Sequence, residues 1–418
     1  MFSSLAIIIL AGLFAAAVCD RLRLPRIVGM IFTGIICGPY ALDLLDPSIL
    51  SISSELRQIA LIIILVKAGI TLDVSDLKKV GRPALLLSFV PASFELLAYT
   101  VLAPVFLPVS HTEAALMGSV LAAVSPAVVV PRMVHYIEKG YGTEKSIPQM
   151  ILAGASCDDI FVIVLFSSFL SMAQGGNVRV MDFVSIPLSI ISGILVGAVT
   201  GILLSIFFES AFNRKRYIRN SMKVLIIMGM AFLLMAVEQK LKGRIPMSGL
   251  LAVVSMAAVL KIRGVRRVSK RLGEKFGKLW IAAEIMLFVL VGAAVDIRYT
   301  LAAGVYAAIL IFLALAIRSV GVWISIAGTG LNFREKLFCV IAYLPKATVQ
   351  AAIGSVPLAA GLPCGSIILS VAVLGILLTA PLGAFGMDRT YKRILQREGQ
   401  TDILFTEEQI AQRESESI

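Results

Sequence analysis

Thirteen apolar stretches, joined by short polar loops, fill most of this 418-residue chain. They run over Ser4–Val18, Pro25–Gly38, Leu56–Ile70, Pro83–Leu107, Thr112–Ile137, Ile147–Ala173, Asp182–Phe208, Ser221–Val237, Pro246–Leu260, Leu279–Val295, Thr300–Ala327, Arg334–Val356 and Pro363–Phe385. Runs of this kind belong in a bilayer, where about 20 apolar residues make one helical crossing. Composition agrees: 58% of residues are hydrophobic, 15% are charged, and mean hydropathy is +0.93. The expected fold is an all-α polytopic membrane protein with thirteen transmembrane helices, and membrane lipid is its immediate partner. Spans 1 to 3 and span 9 are short for full crossings. Leu5 to Val18 lacks the basic flank of a signal peptide and is read as a retained first span.

The net charge of +12 invites a nucleic-acid reading, which the distribution removes. Basic residues sit in the loops without interleaved aromatics, so nucleic acid is not an expected partner. Cys19, Cys37, Cys157, Cys339 and Cys364 show no paired spacing and read as small buried hydrophobes. No cofactor is expected.

Loop charge orients the chain. Of 38 lysines and arginines, 28 fall on one side of the alternating topology and six on the other. The positive-inside rule then places the N-terminus outside and the C-terminal tail, 387–418, in the cytoplasm. Lys67, Arg132, Arg318 and Lys346 lie inside spans. Lys67 and Arg132 are near span ends and are expected to snorkel.

With the orientation set, depths can be compared. Asp158 and Asp159 are adjacent carboxylates near the middle of span 6. A single carboxylate at that depth is costly, and two repel unless a cation or proton is shared between them. Glu95 in span 4, Ser125 in span 5, Arg318 in span 11 and Lys346 in span 12 fall at the same level as Asp159, about 14–18 Å deep.

Spans 5 and 12 each carry a central proline, Pro126 and Pro345. Proline frees helix carbonyls, which is tolerated at this depth only against protein or water. The segments around the two prolines are loosely alike. So are Leu65 to Asp73 and Leu290 to Asp296. This weak internal symmetry predicts inverted repeats with two crossing broken helices, spans 5 and 12, at the functional centre. Lys346, beside Pro345, is placed to neutralise helix C-terminal carbonyls.

Four fragments carry a family resemblance: Ala-Val-Ser-Pro-Ala-Val-Val-Val-Pro from Ala123, Cys-Asp-Asp-Ile from Cys157, Ile-Arg-Ser from Ile317, and Leu-Pro-Lys-Ala-Thr-Val-Gln-Ala-Ala-Ile-Gly-Ser-Val from Leu344. With these the chain resembles the cation–proton antiporter superfamily in its two-aspartate branch. It is most similar to NHA-type sodium/proton exchangers and their bacterial relatives. The resemblance implies a transmembrane antiporter domain over 1–386. A core of spans 3–6 and 10–13 would move against a dimerisation scaffold of spans 1–2 and 7–9, elevator fashion, in a homodimer. In a bacterium it implies the inner membrane. Asp159 would bind the ion and exchange the proton, with Asp158 beside it and Ser125 near the cation. Where many two-aspartate relatives carry lysine, this chain has Arg318, which cannot release a transported proton. Arg318 is expected to pair with Glu95 or Asp158, with Glu95 favoured.

The expected chemistry is competition at one site. Asp159 takes either a proton or a partly dehydrated sodium or lithium ion, with oxygens from Asp158, Ser125 and water completing the shell. Burial disfavours the bare carboxylate, so only the loaded site crosses cheaply. The runner-up readings are a potassium/proton antiporter or another transporter of this fold. More remote is an intramembrane aspartyl protease, which wants carboxylates facing each other from two helices. Here they are neighbours on one helix, about 100° apart. Glu284, near the cytoplasmic start of span 10, is a candidate for an ion funnel.

Overall fold

The computed structural model describes residues 1–71, 81–175, 180–213, 218–241, 247–264 and 266–397. Asp73 and the tail from 398 lie outside these. The described residues are helical throughout, apart from turns, loops and one isolated bridge between Tyr141 and Arg397. In order the helices are α1 Phe2–Arg21, α2 Arg26–Cys37, α3 Pro47–Ser51, α4 Ser53–Thr71, α5 Arg82–Leu87, α6 Val90–Phe106, α7 His111–Leu121, α8 Pro126–Glu138 and α9 Ile147–Gln174. There follow α10 Val180–Asn213, α11 Asn220–Leu241, α12 Gly249–Arg263, α13 Arg266–Ala293, α14 Ile297–Ser325, α15 Phe333–Ala342, α16 Thr348–Gly354, α17 Val356–Ala359 and α18 Gly365–Ile394.

Each apolar stretch coincides with helix. Among the described residues nine helical segments are long and apolar enough to cross a membrane, counting α5–α6 and α7–α8 each as one. α2 and the α16–α17 segment are shorter. Spans 5 and 12 are each interrupted, between α7 and α8 and between α15 and α16. Both begin with the same device. Ser110 and Glu113 form a capping box at α7, and Asn332 and Glu335 form one at α15. Each box satisfies two of the N–H groups that a helix start leaves open. The two sit at equivalent places ahead of the two breaks, a sequence-legible mark of the repeat that proline spacing alone does not reveal.

The helices pack in two groups. α5 to α9 associate with α14 to α18, while α1, α2 and α4 associate with α10 to α13. This differs from the expected grouping, because spans 3 and 10 (α4 and α13) pack chiefly with α2 and α12 rather than with spans 4–6. The reason is close backbone approach through small residues. A side chain at Gly34 would run into the Val289 carbonyl, and one at Gly292 into the Ile31 carbonyl. α2 and α13 are therefore held together at their backbones. Contact between the two groups is sparse by comparison and runs mainly through α9 against α12, α16 against α4 and α13, and α18 against α2.

Candidate functional site

The two breaks meet. The N–H of Ser125, which precedes α8, donates to the Pro345 carbonyl at 2.8 Å. A broken helix leaves open carbonyls where one half ends and open N–H groups where the next begins. Away from water these need partners within the protein. At the end of α7, Lys346 Nζ donates to the Leu121 carbonyl, Arg318 Nη1 to that of Ala122, and Gln350 Nε2 to that of Ala123. Arg318 Nε also donates to the Tyr343 carbonyl, just past the end of α15, at 2.9 Å. One guanidinium thus serves the C-terminal ends of both half-helices. On the opposite polarity, the Val124 N–H ahead of α8 donates to Asp158 Oδ2 at 2.7 Å. Cations at helix C-termini and a carboxylate near an N-terminus match the helix dipoles.

The same side chains pair with one another. Arg318 lies 2.7 Å from Glu95 Oε2 and 3.2 Å from Asp158 Oδ2, and Lys346 Nζ lies 2.6 Å from Glu95 Oε1. All four are buried. Two cations and two carboxylates balance, so this network carries no net charge when all four are ionised. Both partners considered for Arg318 are therefore present, and Glu95 is shared with Lys346. The backbone around Lys346 is held in turn, since its N–H donates to Thr379 Oγ1 at 3.0 Å. α18 reaches the second break because Gly383 lacks a Cβ, which would otherwise strike the Pro345 ring.

Asp159 stands apart from this network. It follows Asp158 on α9 and turns to the boundary between the two helix groups. There it lines a cavity with Ile163, with Leu61, Ile64, Leu65 and Ala68 of α4, with Val254 of α12, and with Val349, Ala352 and Ile353 of α16. Every other wall residue is apolar. Asp159 is buried, its Oδ1 has no hydrogen-bond partner, and it takes part in none of the ion pairs found among the described residues. Asp158 Oδ1 and the hydroxyl of buried Ser125 are likewise without partners. These are hard oxygen donors, the kind an alkali cation takes. No group of three or more His, Cys, Asp or Glu side chains able to hold a metal occurs among the described residues.

The remaining candidates lie elsewhere. Glu284 is half-buried on α13, within electrostatic range of Lys67 and Arg26 and away from the breaks. Lys67 stands over the Trp280 ring at 5.8 Å. Arg132 does not simply snorkel: its Nε and Nη2 each lie 3.0 Å from the carboxylate of Asp388 on α18. Sequence reasoning missed Gln350, Thr379 and the Tyr343 carbonyl. Gln350 had a signal, being the one amide in the apolar run after Lys346.

The model of the transmembrane sodium/hydrogen exchanger family matches residues 5–389. Sodium/hydrogen exchanger 9B2 of Homo sapiens is 34% identical over 354 residues, covering 82% of this chain and 65% of that protein. Sodium/hydrogen exchanger 9B1 of Macaca fascicularis is 32% identical over 361 residues, covering 82% and 68%. The chain spans about 65% of the length of the 9B2 relatives it matches. Among solved structures, the sodium proton antiporter MjNhaP1 from Methanocaldococcus jannaschii at pH 8 superposes with a TM-score of 0.78 at 21% identity, covering 93% of this chain and 97% of that one. That likeness establishes the antiporter fold. By name these relatives are exchangers, and the solved neighbour is an antiporter. The chain is a multi-pass integral membrane protein and belongs to the transmembrane sodium/hydrogen exchanger family.

Proposed function

We propose that this protein exchanges sodium or lithium for protons, with both competing for Asp159. The carrying observation is the contrast between the two neighbouring aspartates. Asp158 is committed through Oδ2 to Arg318 and to the Val124 N–H, whereas Asp159 lines a cavity and joins none of the ion pairs found among the described residues. The four-charge network beside it is already neutral. Asp159 is thus the group whose charge a proton or cation must cancel before the site leaves water. A bare carboxylate among apolar walls is held back, and a loaded one is not. That rule couples the two fluxes.

The sparse boundary between helix groups supports an elevator. In this reading α5–α9 and α14–α18 carry the site, and α1–α4 with α10–α13 form the fixed scaffold of a homodimer. This places spans 3 and 10 with the scaffold, following their packing. Loop charge supports an outside N-terminus and a cytoplasmic tail, and in a bacterium the inner membrane. Glu284 is read as part of a cytoplasmic funnel.

Reconstitution in proteoliposomes tests the reading. Sodium and lithium gradients are expected to drive proton movement in the opposite direction, and potassium is not. With Arg318 fixed in charge, one proton moves per cation and no membrane current develops. Proton movement driven by potassium alone overturns the cargo, and a clear sodium-driven current overturns the stoichiometry.

A further inference from the structure

We infer that Thr348 is a further cation ligand, acting from the second break as Ser125 does from the first. A serine or threonine in a membrane helix ordinarily satisfies its hydroxyl by donating to the carbonyl one turn back. This chain follows the rule repeatedly: Thr33 bonds Gly29, Ser88 bonds Ala84, Thr100 bonds Leu96 and Ser319 bonds Leu315. Among the described residues, two buried Ser or Thr hydroxyls lack any hydrogen-bond partner, those of Ser125 and Thr348. Each stands where a half-helix restarts after a break, Ser125 ahead of α8 and Thr348 as the first residue of α16.

At Thr348 the usual acceptor is out of helical register, because the residue one turn back, Leu344, lies in the break. The hydroxyl does not cap α16 either. The N–H of Ala347 is satisfied by Gln350 Oε1 at 2.8 Å. A threonine hydroxyl buried without a partner costs free energy that valine of nearly the same shape would avoid. The neighbouring residue Val349 lines the cavity that Asp159 enters, and Ala352 and Ile353 line it one turn later. Thr348 therefore begins the helix that walls the site, carrying an oxygen with lone pairs to spare. With Asp158, Asp159 and Ser125 it supplies the fourth hard oxygen from protein side chains, two from α9 and one from each break.

This assignment rests on the reading of Asp159 as the exchange site. The test uses the full-length protein in proteoliposomes, comparing Thr348→Val, Thr348→Ser and Asp159→Asn with wild type. Thr348→Val is expected to raise the apparent KM for sodium about tenfold or more, the worth of one bond to a charged group. The proton affinity of the sodium-free site, read from the pH dependence of sodium binding, stays in place, because the hydroxyl binds cation and not proton. Thr348→Ser restores sodium KM to within about threefold of wild type, since the oxygen is retained. Thr348→Val with unchanged sodium KM overturns the ligand assignment, as does Thr348→Ser behaving like Thr348→Val. Wild-type exchange by Asp159→Asn instead overturns the reading beneath it.

Discussion

Asp159→Asn abolishes sodium-dependent proton movement while leaving the protein folded. The amide is nearly isosteric with the carboxylate, and among the described residues no ion pair involving Asp159 is found that it would break. It cannot become negative, so it can neither hold a cation by charge nor exchange a proton. Asp158→Asn acts differently. It removes a charge that Arg318 uses and weakens the acceptor for the Val124 N–H, so it costs stability as well as activity. The two variants, side by side in flux and in thermal unfolding in detergent, separate carrier from support. Normal exchange by Asp159→Asn refutes the site, and equal loss of stability in both variants refutes the division between them.

The second large effect is on stability. Glu95→Gln leaves two buried cations with one carboxylate between them. Removing one partner of a buried pair costs about 3–5 kcal/mol, because an uncompensated charge stays behind. Adding Lys346→Met removes that excess charge and leaves Arg318 balanced by Asp158. The double variant is expected to recover part of the loss, although the Leu121 carbonyl then loses its donor. Recovery in melting temperature relative to Glu95→Gln alone confirms the charge balance. If the double variant is less stable by the sum of the two single losses, the balance is not what holds the crossing together.

Much of this arrangement was legible in the chain. Apolar runs located the helices, nine segments of which are long and apolar enough to cross a membrane among the described residues, because bilayer thickness sets helix length. Central prolines marked the two breaks, because each removes an N–H and frees a carbonyl. Counting residues from span ends placed Glu95, Ser125, Asp159, Arg318 and Lys346 at one depth, and all but Asp159 are joined directly or through the break. The division between the two aspartates follows from helical geometry, which turns neighbours to different faces. Other parts were not legible for a physical reason. Lys346 reaches Glu95 because spans 4, 5, 11 and 12 cross, and crossing is not encoded in depth. Gln350 is an ordinary polar residue until a helix end with an open carbonyl is put beside it. Arg132 finds Asp388 more than two hundred residues away. Spans 3 and 10 carry apolar sequence that fits either helix group, and their packing shows in close backbone approaches, Gly69 of span 3 to Val254 and Gly292 of span 10 to Ile31. The capping boxes at Ser110 and Asn332 were readable and would have strengthened the repeat.

The central claim is that one carboxylate, Asp159, binds either a cation or a proton. Sodium binding to the purified protein measures this most directly, by calorimetry in buffers of different ionisation enthalpy at several pH values. Competition requires about one proton released per sodium bound at acid pH, with apparent Kd rising about tenfold for each unit that the pH is lowered there. Asp159→Asn shows neither binding nor release. Sodium affinity independent of pH, or proton release that survives in Asp159→Asn, contradicts the account.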